Sequence, residues 1–397
     1  MSQVDHTTTT APANGPPAAA TTPDRARRSE ELVYLFFVLW TMIGLCLDGW
    51  AHRYQPELES FFTPWHAVFY TGFIGGSAWL ARMIITRRPD AVSLRASIPD
   101  GYQLAVLGLG LFAIGGVGDG FWHTILGVET GIDALLSPTH LLMLFGMLAG
   151  ATAPIRAAWR DPALPIEVTS LRRFLPVVLS AGVATTGVAF FFLYANGFSN
   201  WRMQNPYIPD QSDAVVTGGI LSTLASTVIL LGPVMFILRR WRPPAGTFTV
   251  IFGIVGVFMA GLDAYRYPWQ ILAPVAGGLV ADWVVRRPEL ADRIVDRSGG
   301  DNDPAPPIDQ ELRRRAWVLG LAVPLVMWTV STAATAVAWA VRWPPELWVG
   351  QIVMAMLLGF GLAIMSHPPS RPRGLTEPAS GSVSTRTGTR SRSGAQA

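Results

Sequence analysis

Residues 32–52 read LVYLFFVLWTMIGLCLDGWAH, an apolar run interrupted near its end by Asp48 and His52. An α-helix needs about 20 mainly apolar residues to cross the hydrocarbon core of a bilayer. The run is therefore typical of a transmembrane helix that carries a charged and a titratable side chain at one end. Ionisable groups in such helices are costly to insert and usually serve a function.

The whole chain shares this apolar character. Of its 397 residues, 50% are hydrophobic and 14% are charged, whereas soluble domains carry about 25% charged residues. This composition excludes a soluble enzyme and a disordered protein. We predict an all-α polytopic membrane protein with about ten transmembrane helices arranged as helical hairpins. The predicted spans are residues 32–52, 64–87, 101–123, 138–159, 173–195, 213–238, 246–264, 268–286, 315–341 and 346–366.

The chain divides into four predicted regions. Residues 1–29 and 369–397 are rich in small polar residues, proline or arginine and are predicted to be disordered tails. Residues 30–160 are predicted to form a metal-binding unit of four transmembrane helices, and residues 161–368 add further transmembrane helices. The single cysteine, Cys46, excludes disulfides and cysteine metal clusters.

The arginines predict the orientation in the membrane. All 30 basic residues are arginines, and they concentrate in the tails and in alternate loops. Loops rich in basic residues usually stay in the cytoplasm, and an even number of spans puts both tails on that side. We therefore expect a multi-pass protein of the plasma membrane with cytoplasmic termini. The net charge of +3 gives no indication of nucleic-acid binding.

Four of the six histidines fall in two matching motifs, and the interval from Asp48 to Asp119 equals that from His52 to His123. The first motif is Asp48-Gly-Trp-Ala-His52 followed by Thr63-Pro64-Trp65-His66, and the second is Asp119-Gly-Phe-Trp-His123 followed by Ser137-Pro138-Thr139-His140. Aspartate and histidine at i and i+4 share one helix face. A hydroxyl residue followed by proline is typical of a helix N-cap and first turn, which places the third residue at the start of the next helix.

Each motif offers two imidazoles and one carboxylate from two helices. Such a set leaves coordination positions open and suits copper, zinc or non-haem iron. The positive end of a helix also keeps a histidine in its first turn neutral and able to bind a metal. The sequence thus predicts two metal sites toward the outer face of the membrane. Their ligands are Asp48, His52 and His66, and Asp119, His123 and His140.

Other residues near the motifs are weaker candidates. Trp50, Trp122 and Glu129 are expected to support the sites from outside the ligand sets. Any single motif residue could instead cap a helix or form an ion pair, as Asp48 could with Arg53. Asp263, at a later hairpin turn, is expected to pair with Arg266.

The motifs resemble those of the C subunit of copper membrane monooxygenases, the particulate methane and ammonia monooxygenases. That family carries Asp-x3-His-x12-His and, at a similar interval to the one here, Asn-x3-His-x13-His, with the first motif ending in a stretch like Phe-Thr-Pro-Ser-His before a Val-Phe-Tyr-Gly run. This chain has Phe62-Thr63-Pro64-Trp65-His66 before Ala67-Val68-Phe69-Tyr70, and its second motif leads through Glu129 to Ser137-Pro138-Thr139-His140. The resemblance covers about residues 30–160.

The chain also departs from the family. Asp119 stands where the family has asparagine, and the spacers between the histidines, His52-x13-His66 and His123-x16-His140, are slightly longer than the family's. An additional carboxylate favours a harder metal, so iron stays open beside copper. The chain is several spans longer than the family's C subunit, and no β-rich outer copper domain is apparent in its sequence.

The resemblance implies a copper-dependent monooxygenase, or a subunit of one, that oxidises a small apolar substrate with O₂. Asp119, His123 and His140 would be the catalytic set. The family works as a three-subunit complex in the bilayer, so partner subunits or a homo-oligomer are expected. One alternative is a copper or zinc transporter or insertion factor, which should show polar residues stepping through the membrane. Another is an assembly subunit with degenerate sites, against which the two intact sets argue.

Overall fold

Helices account for the regular secondary structure of the described chain, where no strand forms. The computed structural model describes residues 25–55, 63–88, 93–127, 131–199, 201–287 and 308–368. The α-helices are α1 Arg28–Tyr54, α2 Pro64–Arg87, α3 Gln103–Leu126, α4 Ile132–Leu136, α5 Pro138–Ala151, α6 Ala153–Arg160, α7 Leu171–Phe191, α8 Asp213–Leu238, α9 Thr247–Leu262, α10 Trp269–Val285, α11 Ile308–Ala338 and α12 Pro345–Ser366. The prediction of an all-α fold is confirmed.

Eight helical segments are long and apolar enough to cross a membrane, which supports a multi-pass membrane protein. They are α1, α2, α3, the continuous pair α5–α6, α7, α8, α11 and α12. The helices α9 and α10 are apolar but have only 16 and 17 residues. At about 1.5 Å per residue they are shorter than the hydrocarbon core of about 30 Å. Each predicted span therefore corresponds to a helix, while the count of ten crossings stays a prediction.

Some helices begin outside the predicted limits. The helix α1 begins at Arg28, within the segment assigned to the first tail, and α11 begins at Ile308 rather than at residue 315. The early start of α11 has a local cause, because Arg315 pairs with Glu311 one turn earlier and donates to the carbonyl oxygen of Val285 at 2.6 Å. These contacts allow a charged first turn to continue into an apolar helix.

Successive helices pack together in four pairs: α1 with α2, α3 with α5, α9 with α10, and α11 with α12. The remaining two helices differ from this pattern. The helix α7 packs mainly on α9, and α8 mainly on α12, so they contact each other only in part. The connection between them contains the 3₁₀ turns Leu193–Ala195, Gly197–Ser199 and Trp201–Gln204. This long connection lets α7 and α8 separate.

Glycines bring α3 and α5 into backbone contact. A Cβ atom at Gly108 would lie 2.6 Å from the carbonyl oxygen of Gly146, and one at Gly146 would lie 2.5 Å from that of Gly108. Small residues permit such close approach between membrane helices. Between the first two pairs, the Phe73 ring on α2 stacks on Phe112 of α3 with centroids 4.2 Å apart. These contacts hold the two helix pairs next to each other, and each pair carries one motif.

Candidate metal centre

The last turns of α1 and the first turn of α2 form the first triad. Asp48 and His52 lie on one face of α1 at i and i+4. The side chain of Thr63 caps α2 and accepts from the backbone N–H of His66 at 3.2 Å. Pro64 occupies the first helical position, where its missing N–H is tolerated. The predicted cap therefore forms and places His66 opposite the end of α1.

The carboxylate of Asp48 lies close to both imidazoles of the first triad. The Nε2 atom of His66 lies 3.3 Å from Oδ1 of Asp48, and that of His52 lies 3.7 Å from Oδ2. The side chain of His52 is 41% exposed, whereas that of His66 is 11% exposed. The first triad is therefore open to its surroundings on the His52 side.

The second triad repeats this construction with a second capping residue. The side chain of Ser137 caps α5 and accepts from the backbone N–H of His140 at 3.4 Å. The Nδ1 atom of His140 lies 2.9 Å from the Ser137 hydroxyl and also hydrogen-bonds with the carbonyl oxygen of Ala134 in α4. A carbonyl oxygen can only accept, so Nδ1 is the protonated nitrogen. In the neutral ring, Nε2 then carries the lone pair that can bind a metal.

A single carboxylate oxygen faces both imidazoles of the second triad. The Nε2 atoms of His140 and His123 lie 3.0 and 3.4 Å from Oδ1 of Asp119. Asp119 is only 1% exposed. The hydroxyl of Thr139 donates to the same Oδ1 atom at 3.2 Å. The second triad is thus more deeply buried than the first and its carboxylate is held by an additional donor.

Both triads fit a metal ion by the chemistry and spacing of their donors. Within each triad, one donor atom per residue lies within 4.8 Å of the others. Ligands about 2.0–2.1 Å from one ion lie about 2.9–3.4 Å apart at bond angles of about 90–110°. The Nε2 atom of His140 faces the carboxylate of Asp119 at 3.0 Å, and either a proton on a charged imidazole or a metal ion between the two groups would make this approach favourable. Imidazole with carboxylate suits copper, zinc or iron without choosing among them.

The two triads open on one cavity of about 430 Å³. Asp48, His52 and His66 line it from one side, and His123 and His140 line it from the other. The rest of the lining comes from α1, α4, the end of α7 and the turn after it, and is mainly apolar: Leu45, Gly49, Arg53, Gly131, Ile132, Ala134, Leu135, Phe190, Phe191, Leu193 and Tyr194. The sequence pairs each Asp with its own histidines, but only the tertiary structure shows that the two sets share a space.

A second cavity of about 30 Å³ also touches both triads. Asp48 and His66 line it together with Asp119 and His140, and Tyr70 completes the polar part of the lining. Tyr70 lies one turn after His66, with ring centroids 6.1 Å apart. Sequence reasoning missed Tyr70 and Thr139. The sequence contains a pattern for each: Tyr70 stands at i+4 from His66, and Thr139 is a hydroxyl residue directly before His140.

The predicted supporting residues have different outcomes. Glu129 lies outside the described residues. Trp50 packs edge-on against Trp65, with ring centroids 5.8 Å apart. Among the described residues that line the two cavities at the triads, neither Trp50 nor Trp122 occurs. Trp50 therefore packs beside the first triad, and the supporting roles of Trp50 and Trp122 stay predictions.

The predicted ion pair between Asp263 and Arg266 is wrong. The carboxylate of Asp263 pairs with Arg53 of α1 and accepts from Nε2 of Gln270 at 2.5 Å. Arg266 contributes only its backbone N–H, which donates to the Asp263 carbonyl oxygen at 3.0 Å. The turn after α9 directs the Asp263 side chain toward α1, a long-range contact that spacing along the sequence does not predict.

No protein-family model matches the chain, and no curated protein or solved structure matches it either. The resemblance to the copper membrane monooxygenases therefore depends on the residues of the two motifs alone.

Proposed function

We propose that the protein is a copper-dependent oxidoreductase of the membrane that oxidises an apolar substrate with O₂. One observation carries the proposal: two Asp/His/His triads open on the same cavity, whose other walls are mainly apolar. Three protein ligands leave coordination positions open, and an apolar cavity beside them can hold a substrate away from water. We choose copper as the metal because the motifs of these triads resemble those of the copper membrane monooxygenases.

The residues of the triads would divide the work of holding the metals. The imidazole Nε2 atoms and one carboxylate of each triad would bind an ion, and bound copper would supply the one-electron chemistry that O₂ activation requires. The hydrogen bond from Nδ1 of His140 to Ala134 orients that ring and preserves the Nε2 lone pair. The Thr139 hydroxyl holds the carboxylate of Asp119.

We assign catalysis to the second triad, Asp119, His123 and His140. Its carboxylate is 1% exposed, whereas His52 of the first triad has a side chain that is 41% exposed. A dry site strengthens interactions with charge that develops during the reaction and limits side reactions with water. The first triad then serves as a second metal site on the same cavity.

The proposal includes the wider setting of the protein. The arginine distribution supports cytoplasmic termini for a plasma-membrane protein and triads toward its outer face. Inserting one oxygen atom of O₂ into the substrate and reducing the other to water would require two electrons from an external reductant. Partner subunits or further copies of the chain would complete the assembly, and the substrate would arrive through the bilayer together with O₂. Measuring the bound metal distinguishes copper from iron and zinc.

Metal transport is the competing function, and the packing beneath the triads disfavours it. A further cavity of about 40 Å³ lies deeper between the four helices, with Tyr34, Phe37, Phe73 and Phe112 in its lining. None of the described residues that line it carries a carboxylate, an imidazole or a guanidinium group. An ion pathway through the membrane requires such groups or a water-filled route.

The test is the metal content of the protein purified in nanodiscs, measured by mass spectrometry. We expect copper in the wild-type protein and the loss of one equivalent in a His52→Ala/His66→Ala variant. A His123→Ala/His140→Ala variant should lose the other equivalent and the oxidation of apolar substrates with O₂. His367→Ala is the matched control, because His367 follows the end of α12, contacts Trp317 of α11 and belongs to neither triad.

Three results would decide against parts of the proposal. Iron in place of copper would keep oxidation and change the metal. Unchanged metal content in a double variant would remove that triad as a site. A protein that binds copper in both triads but oxidises no apolar substrate would favour a role in metal handling.

A further inference from the structure

The size of the shared cavity limits what could fill it. Its volume is about 430 Å³. A water molecule occupies about 30 Å³ of liquid, and a methylene group occupies a similar volume, so the cavity corresponds to roughly 14 such groups. Methane or ammonia would fill only a small fraction of this space and leave the rest to water. Cavities of about 300–1,000 Å³ are typical of sites that bind larger organic molecules.

The lining of the cavity is divided by chemistry. The imidazoles and Asp48 lie where α1, α2, α3 and α5 meet, while Leu45, Leu135 and Phe191 form apolar walls from α1, α4 and α7. An apolar molecule that extends along these walls would stay close to the triads without requiring hydrogen bonds of its own. The imidazoles can satisfy their own polar groups through the triads and the bonds behind them, as His140 does.

We propose that the substrate of this site is an apolar molecule of roughly 8–12 carbon atoms, such as a medium-chain alkane, and not methane or ammonia. That this molecule is a substrate rests on the proposed function, whereas its size rests on the volume of the cavity. The upper limit follows from the volume, since part of the space beside open coordination positions must remain for O₂. The lower limit follows from burial, since each additional methylene removed from water strengthens binding about fourfold until the cavity is full.

Occupancy can be measured directly with a cysteine placed in the cavity wall. Leu193 lines the cavity, and Leu136 of α4 is 48% exposed and does not line it. The variants Leu193→Cys and Leu136→Cys would be purified in nanodiscs as full-length protein and alkylated with a maleimide. Cys46 is buried, so the wild-type protein gives the background rate. The probes are n-alkanes from butane to tetradecane, with the aqueous concentration fixed through the vapour phase.

We expect n-alkanes to slow alkylation of the Leu193→Cys variant and not that of the Leu136→Cys variant. The aqueous concentration that halves the rate should fall about fourfold per added carbon and then level off at roughly 8–12 carbons. Adding Leu135→Trp should move this limit to shorter chains, because the larger ring occupies part of the cavity. Fixing the aqueous concentration removes the effect of partition into lipid, which follows the same chain-length dependence.

The proposal is overturned if no alkane slows alkylation at position 193, if butane protects as well as decane, or if the Leu136→Cys variant is protected equally. Metal content and substrate oxidation are measured on the same preparations. Chain-length-dependent protection without metal or oxidation would reject the oxidoreductase and keep the ligand site. Metal binding and oxidation without such protection would keep the oxidoreductase and reject the substrate class.

Discussion

At the scale of single residues, the two triads differ at the position directly before the histidine of the second helix. Thr139 precedes His140, whereas Trp65 precedes His66. The Thr139 hydroxyl donates to Oδ1 of Asp119 at 3.2 Å and contacts the Ser137 hydroxyl at the same distance. Groups that orient a metal ligand often matter nearly as much as the ligand itself. The two sites are therefore expected to bind metal with different affinities.

Thr139→Val should weaken metal binding at the second triad by about 10–100-fold, because it removes the donor that holds Asp119 while keeping the shape of the side chain. The affinity is measured by competition with a chelator of known strength. Thr139→Ser keeps a hydroxyl and is the control. Equal affinities of the Val and Ser variants would show that the hydroxyl does not support the site, and a matching loss at the first triad would indicate a general disturbance.

At the scale of elements, a buried ion pair joins α1 to the turn between α9 and α10. Asp263 is 1% exposed and contacts Arg53, the residue directly after His52. The turn that presents Asp263 has left-handed backbone at two non-glycine residues, with φ of 51° at Ala264 and 57° at Tyr265. Such conformations cost about 1–2 kcal/mol each and persist where the surroundings impose them. This ion pair links the C-terminal helices to the metal-binding unit.

Arg53→Gln should destabilise the protein more than Asp263→Asn. The first change leaves a buried carboxylate without its counter-charge and should cost about 3 kcal/mol, whereas Arg53 is half exposed and can be solvated when Asp263 is lost. The double variant should recover part of this loss. Thermal unfolding in detergent measures all three, with Arg266→Gln as a control expected within about 0.5 kcal/mol of wild type. Equal destabilisation by the two single variants would contradict this prediction, because the buried carboxylate of Asp263 would then not depend on the charge of Arg53 more than Arg53 depends on Asp263.

At the scale of the whole molecule, the end of α12 lies against α11 and against the C-terminal end of α8. The carbonyl oxygen of His367 accepts from Nε1 of Trp317 in α11 at 3.1 Å, and its Nδ1 atom lies 3.0 Å from the Ser366 hydroxyl. Burial lowers the pKa of His367 below the ordinary 6.5, and the charges of Arg239 and Arg313 lower it further. The folded protein therefore favours a neutral His367.

This lowered pKa predicts a pH-dependent stability. Because the unfolded chain binds the proton more readily, the stabilisation is complete above about pH 6.5 and is lost as the pH falls through the lower pKa of the folded state. The melting temperature of the wild-type protein should fall between pH 8 and pH 5.5, and His367→Asn should reduce this fall. Metal-depleted protein is used so that the triads contribute equally to both. An identical fall of the melting temperature in the variant would show that His367 does not cause the pH dependence.

The sequence alone determined the features that depend on neighbouring residues. Apolar length indicated membrane helices, the i,i+4 spacing placed Asp48 with His52 on one face, and Thr63 and Ser137 each predicted a helix start that the structure confirms. These features follow from the geometry of a single helix and its cap, so short-range patterns contain them. The recurrence of the Asp-x3-His motif also indicated that the two ligand sets are built alike.

Contacts between groups on different helices depend on the packing of the whole molecule. This packing joined Thr139 to Asp119, Ala134 to His140 and Arg53 to Asp263, and it placed both triads on one cavity. The sequence offered Arg266 as the partner of Asp263 because it lies close along the chain. The actual partner is 210 residues away, and its choice depends on how α1 packs against the turn after α9. Helix packing sets such distances through side-chain shape and backbone approach, which residue spacing does not encode.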